Sequence, residues 1–237
     1  MPIICGDCLE VMKDIEDKSI DMILCDLPYG QTQNSWDSII PLDRLWEQYK
    51  RITKENAAIV LTASQPFTSI LVCSNLKMFK YEYIWQKDKA SGHLNANKMP
   101  LKAHESVLVF YRSLSTYNPQ KFKGTPCHSK GNAIGKINKT SNYGKFTNVE
   151  TLGDMKFPQS IIKFNKDNGL HPTQKPVALF EYLIKTYTNE DDIVLDNCCG
   201  SGTTAVACMN TKRHFICIEK EKKWYDIAHA RMGYGKV

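Results

Sequence analysis

Residues 192–232, "DIVLDNCCGSGTTAVACMNTKRHFICIEKEKKWYDIAHARM", alternate short apolar runs with longer amphipathic ones. "DIVLD" and "HFICIE" have the length and apolar content of buried strands, whereas "TTAVACMN" and "KKWYDIAHARM" have helical spacing. A strand–helix–strand–helix run with short connections closes as parallel strands with crossover helices, so this segment commits the chain to an α/β sheet. The beginning of the chain repeats the pattern. "PIIC", "SIDMILCD", "AAIVLTA", "YEYIW" and "SVLVFY" read as strands. "CLEVMKDI" places Leu9, Met12 and Ile15 at helical intervals, and "PFTSILVCSNL" reads as a helix begun by Pro66. "PVALFEYLIKTY" is amphipathic, with Leu179, Phe180, Leu183, Ile184 and Tyr187 on one side. A length of 237 residues suits one large domain, or a core domain with an insertion.

From Arg112 to about Leu170 the periodicity dissolves into Gly, Asn, Ser, Lys and Thr. So long an irregular stretch inside a domain is functional or disordered. Residues 77–176 hold 17 Lys/Arg against 6 Asp/Glu, while the rest of the chain holds 14 against 19. Aromatics interleave this basic block, as in "TYNPQKFKG" and "NYGKF", which fits a polyanion-binding face better than a merely solvated one. No apolar run approaches the ~18 residues of a membrane span. The opening "MPIICGDCLE" lacks the basic region of a signal peptide, so a soluble, cytoplasmic protein with no membrane partner is expected. Cys5 and Cys8 form a C-x-x-C, but no second pair stands at ligand spacing, so no metal is expected. Cys25, Cys73 and Cys217 lie in apolar runs, where reduced cysteine acts as a small hydrophobe.

Two stretches carry chemistry. The first is "DLPYG", residues 26–30, where an apolar strand pattern stops at an acid, a proline, an aromatic and a glycine. The second is the loop after "DIVLD". Asp196 ends the strand, Gly200 and Gly202 flank Ser201, and Thr203 or Thr204 stands where it can cap the next helix. Glycines let a backbone approach a ligand closely, and ligands of open α/β sheets bind at the carboxyl ends of strands. Glu219 ends the next strand, about twenty residues on, where an acid can hold ribose hydroxyls. The loop lacks the third glycine of a dinucleotide fingerprint, which favours a nucleoside ligand without a pyrophosphate. A tight strand-to-helix turn with an incidental acid downstream would give the same residues without a ligand.

Taken together, the two stretches resemble an S-adenosylmethionine-dependent DNA amino-methyltransferase. "DLPYG" resembles that family's catalytic D-P-P-Y, and "DNCCGSGTT" its cofactor loop. The catalytic motif comes first, then the basic block, then the cofactor loop, which resembles the β group of these enzymes. "HPTQKP" (171–176), "GDCLEVM" and "HESVLVF" resemble further segments of that group, and the resemblance runs from Gly6 to about Met232. Leu27 departs from the family's first proline, and cysteines replace the phenylalanine usual before the glycine loop. The family uses position 27 through its backbone carbonyl, and Pro28 still biases Leu27 toward an extended conformation.

The resemblance implies a Rossmann-like, mostly parallel seven-stranded α/β sheet with helices on both faces, in permuted motif order. It divides the chain into a catalytic half (1–112), a target-recognition insertion (113–168) and a cofactor-binding half (169–237). It implies that Asp26 and the Leu27 carbonyl accept the protons of a base amine, that Pro28 sets the turn, and that Tyr29 stacks on a flipped base. For S-adenosylmethionine, with S-adenosylhomocysteine as product, it implies Asp7 at the adenine and Glu219 at the ribose, with Cys8 and Lys220 also at the cofactor. Asp26, Lys175, Asp196, Cys198, Gly200, Ser201, Gly202, Thr203 and Thr204 are then expected around the rest of the cofactor. Duplex DNA is expected at Tyr29, Trp36, Lys98, His104, Lys121, Lys123, Lys130, Lys136, Lys139 and Lys145. Trp36 reads equally as packing, and His104 and Glu105 equally as structural. A homodimer, a cognate restriction endonuclease and a bacterial or phage origin complete the expectation. An acid at position 26 favours adenine N6 over cytosine N4. Methylation of RNA or of a protein amide, and a non-catalytic DNA-binding role, would also be compatible with these motifs.

Overall fold

The apolar runs become strands in chain order, and the amphipathic runs become the helices that cover them. The elements begin β1 (Ile3–Cys5), α1 (Cys8–Val11), β2 (Ile20–Asp26), α2 (Leu42–Ile52), β3 (Thr53–Ala63), α3 (Phe67–Ser74), β4 (Phe79–Ser91) and β5 (Lys102–Phe110). They continue β6 (Phe122–Lys123), β7 (Ile137–Thr140), β8 (Gly144–Thr147), β9 (Met155–Lys156), β10 (Ile161–Lys163) and α4 (Val177–Tyr187). β11 (Ile193–Asp196), α5 (Thr203–Asn210), β12 (His214–Glu219) and α6 (Lys222–Arg231) end the chain. This computed structural model describes residues 2–30, 37–125, 137–140, 142, 144–147, 154–167 and 174–233. Met1–Asn118 and Ser160–Val237 form one compact unit, and Pro119–Gln159 a second.

In the larger unit one sheet runs in the order β1-β12-β11-β2-β3-β5-β4-β10. Every pairing is parallel except those of β5, which is antiparallel to both neighbours. Among the described residues the sheet has eight strands, one more than the seven expected. The extra strand is β10, whose Ile161–Lys163 pair with Ile84–Gln86 and cover an edge that β4 would otherwise leave open.

Both faces are buried, and the alternation along each strand divides the core in two. Met22, Leu24, Val60, Val107 and Val194 face one side, packed with Leu179, Phe180 and Leu183 of α4 and Ala205 of α5. Ile23, Cys25, Leu61, Leu108 and Leu195 face the other, against Leu45, Trp46, Tyr49 and Phe67 of α2 and α3. Helix α2 was not anticipated. Its buried Leu45, Trp46, Tyr49 and Ile52 recur at helical spacing within a polar sequence, "PLDRLWEQYKRI". Each such side chain contributes about 1.5–3 kcal/mol through burial. The expected helix over "CLEVMKDI" is only α1 followed by a 3₁₀ turn at Met12–Asp14.

The smaller unit is more regular than its composition implies. Phe122–Lys123 pair with Met155–Lys156, and β7 pairs with β8 in a hairpin that sets Lys139 opposite Lys145.

Candidate active site

Four adjacent parallel strands, β1, β12, β11 and β2, deliver a carboxylate to the same end of the sheet. Asp7 follows β1, while Glu219, Asp196 and Asp26 are the last residues of β12, β11 and β2. A cavity of about 560 Å³ opens at that end and is lined by all four acids, with Leu27, Pro28, Tyr29, Lys175, Gly200 and Ser201. "DLPYG" and the glycine loop therefore line one cavity.

Asp26 is held from three sides. Its Oδ1 accepts from the Tyr29 hydroxyl at 2.7 Å and from the Thr62 hydroxyl, and its Oδ2 accepts from Lys175 Nζ at 2.6 Å. Thr62 reaches it because the parallel register of β2 and β3 sets Asp26 beside Thr62. Lys175 also lies 3.3 Å from Glu105, which pairs with Lys87 at 2.5 Å, so the charges alternate along a buried chain. Burial works against the Lys175 ammonium, but Asp26 and then Glu105 outweigh it and hold its pKa above the ordinary lysine value. Burial likewise works against the Glu105 carboxylate, and Lys175 and Lys87 outweigh it and hold its pKa low. Burial, followed by the charges of Asp26 and Glu105, pushes the Tyr29 phenol well above its usual value, so it stays a hydrogen-bond donor. The Tyr29 ring stacks on Phe67 with centroids 5.4 Å apart. Leu27 is only 3% exposed and belongs to the core beside α2 and α3. Gly30, at φ 66°, donates its N–H to Asp37 Oδ1 at 2.8 Å and turns the chain away.

The glycine loop is tied to two of the acids. Asp196 accepts from the Cys198 N–H at 3.0 Å and from the Thr204 hydroxyl. Its burial raises its pKa to about 6. Glu219 Oε2 accepts from the Gly200 N–H and Oε1 from the Glu221 N–H, both at 2.8 Å, and burial raises its pKa too. Gly200 has φ 51° and open space where a Cβ would stand. Gly202, at φ 82°, lies with its virtual Cβ 3.0 Å from that of Ala228, which fixes the loop against α6. Neither Thr203 nor Thr204 caps α5 as expected: Gly202 is the N-cap, and Thr204 turns to Asp196 instead. Ser201 donates to Gln174 Oε1 at 3.1 Å. Cys8 and Cys198 line the cavity beside the loop, and Cys25 is buried in the core. Asp7 caps α1 through Leu9 N–H at 3.0 Å and accepts from Lys220 Nζ at 3.2 Å. Burial opposes the Asp7 carboxylate, but Lys220 and the Leu9 N–H outweigh it and lower its pKa.

Lys175, expected around the cofactor, lines the cavity and pairs with Asp26 and Glu105. His104 is exposed on β5 opposite Gln86. Lys98, Lys121, Lys123 and Lys145 are exposed, and Lys139 lies on β7. Trp36, Lys130, Lys136 and residues 171–173 of "HPTQKP" lie outside the described residues. Thr62, Phe67, Lys87 and Gln174 were missed. The one signal for Thr62 was a polar residue within the strand-like run "AAIVLTA", and Lys87, among polar residues, gave none.

A family model described as DNA methylase matches residues 20–230. The chain belongs to the DNA methylase family. This methylase is 28% identical to a DNA adenine methyltransferase, YhdJ, of Escherichia coli (strain K12), over 97% of this chain and 82% of that protein. It is 27% identical to the type II methyltransferase M.HpaI of Haemophilus parainfluenzae, over 97% of this chain and 73% of that protein. Among solved structures, that of the M1.HpyAVI–SAM complex aligns with TM-score 0.66 at 26% identity, covering 97% of this chain and 98% of that one. The cytosine-N4-specific PvuII methyltransferase aligns with TM-score 0.68 at 16% identity, over 96% of this chain and 84% of that one, a likeness of fold alone.

Proposed function

We propose that this DNA methylase transfers a methyl group from S-adenosylmethionine to the N6 amine of an adenine turned out of duplex DNA. The observation that carries the reading is the single cavity joining Asp26–Tyr29 to Asp7, Glu219 and the glycine loop. The cavity residues fit the cofactor. The cavity offers four carboxylates to a ligand that carries a sulfonium and an ammonium, and Lys175 and Lys220 offset only Asp26 and Asp7 among them. Gly200 leaves a bare patch of backbone where a side chain would intrude. S-adenosylmethionine, when bound, supplies a methyl group made electrophilic by its sulfonium.

The chain must present a nucleophile to that methyl, and an exocyclic amine is a poor one because its lone pair is delocalised. Two acceptors beside the NH₂ draw the nitrogen toward sp³ and aim the lone pair. Asp26 and the Leu27 carbonyl take this role. A carboxylate oxygen accepts about two hydrogen bonds, so Oδ1 is filled by Tyr29 and Thr62 while Oδ2, with Lys175 alone, keeps one position for the amine. Tyr29 offers its ring to the base, braced from behind by Phe67. Asp7 and Glu219 hold the adenine and ribose, and the exposed lysines contact phosphate. An aspartate at position 26 and an adenine methyltransferase among the relatives support adenine. The type II names of relatives support pairing with a restriction endonuclease, and sedimentation of the purified protein tests the homodimer. The reaction is tested with labelled cofactor and DNA, followed by nucleoside analysis. N6-methyladenine supports the proposal, and N4-methylcytosine or an absence of label defeats it.

A further inference from the structure

The hairpin that joins β4 to β5 stands at the mouth of the cavity. Its closing pair, Ser91 and Lys102, lines that cavity, and β4 runs parallel to β3 and β2, so the turn projects from the end where Asp26 lies. Residues 92–101 are exposed throughout. The turn is nevertheless built. Gly92 takes φ 92°, and the Asn95 N–H donates to Gly92 O at 2.9 Å, Ala96 to His93 O at 3.1 Å and Lys98 to Asn95 O at 2.8 Å. The 3₁₀ turn His93–Asn95 holds Leu94 at its apex, fully exposed, with Met99 half-exposed behind it. Singly exposed leucines are ordinary. This one is held out by a turn bonded to itself, beside a cavity that must admit a base, and flanked by Lys89, Lys98 and Lys102.

We propose that Leu94 is the wedge that enters the duplex and fills the space left by the departing base, while Lys89, Lys98 and Lys102 neutralise the phosphates on either side. The inference rests on the reading given under Proposed function. An apolar side chain pushed between base steps takes over part of the cost of unstacking. The lysines supply attraction without sequence preference. Leu94 is thus a positioning residue that acts on the DNA and not on the reacting atoms. Its exposure means that truncating it removes no internal contact.

The test compares two duplexes carrying the target site, mapped by sequencing plasmid methylated by the protein. In one the target adenine is paired; in the other it faces an abasic site, so that opening is already done. Leu94→Ala is expected to methylate the paired duplex roughly tenfold more slowly and the abasic duplex at the wild-type rate. Leu94→Met is expected to restore the paired rate. Leu76→Ala, an equally simple truncation of an exposed leucine beyond α3 at the opposite end of the sheet, is expected to match wild type on both. Cofactor affinity and melting temperature serve as checks on folding. Equal rates for Leu94→Ala and wild type on the paired duplex overturn the wedge, as does an equal loss on both duplexes. Wild-type protein that methylates neither duplex refutes the underlying reading instead, and is told apart by that result.

Discussion

Replacing Lys175 with methionine removes the cation from the buried charge chain while keeping its bulk. Lys175 is 7% exposed and stands 2.6 Å from Asp26 and 3.3 Å from Glu105. Breaking a buried pair costs about 3–5 kcal/mol because it strands the partner. Lys87 still faces Glu105, so the low end applies, about 3 kcal/mol. For a chain of this size that is a fall in melting temperature of roughly 6–12 °C at neutral pH. The sign of the pH dependence follows from two groups. The Lys175 pKa is raised by folding, so its contribution is present below the unfolded lysine value and is lost only as pH rises through the folded one. The Glu105 pKa is lowered, so its contribution is present above the unfolded glutamate value, about 4.3, and is lost as pH falls through the folded one. The gap between wild type and Lys175→Met should therefore be wide at pH 7–8 and narrow as pH falls below about 4.3. Thermal unfolding across that range reads it directly. The double variant Lys175→Met/Asp26→Asn, which removes the carboxylate left unpaired and keeps the Lys87–Glu105 pair, should recover part of the loss. A gap that does not vary with pH, together with a double variant no more stable than the single, would refute the coupling.

Asp26→Asn should lower methyl transfer by about a hundred- to a thousandfold, the scale of one lost electrostatic contact at a reacting group, with cofactor affinity by calorimetry little changed. Gly200→Val should abolish cofactor binding, because it forces a branched side chain into φ 51° and into the cavity; unaltered affinity would remove the loop from the site. Leu27→Pro, neutral on a backbone argument alone, should instead destabilise the protein by about 2 kcal/mol, since Leu27 fills the core, while the activity of the folded fraction persists. Denaturant unfolding and specific activity separate those two effects.

The features legible in the sequence were those written locally. An apolar run that ends in an acid, and glycines placed before a helix, announce themselves within ten residues. The partners of those acids did not. Thr62 meets Asp26 only through the register of two strands. Lys175 lies 149 residues from the carboxylate it holds, and resemblance alone set it beside the cofactor. Lys87 and Glu105 stand between polar neighbours, in "QKD" and "HES", and read as surface charges, although both face inward. Helix α2 was hidden because its four buried residues are diluted by charged ones, so its periodicity shows only when the window spans the whole helix.

The row of carboxylates at four neighbouring strand ends also works as a charge filter. An acidic floor beside a hairpin bearing Lys89, Lys98 and Lys102 sorts what reaches each level. A phosphodiester is attracted to the rim and repelled from the floor, so the sugar-phosphate strand stays outside. A purine carries no charge and passes both. The one part of a nucleotide that can descend is the part to be modified.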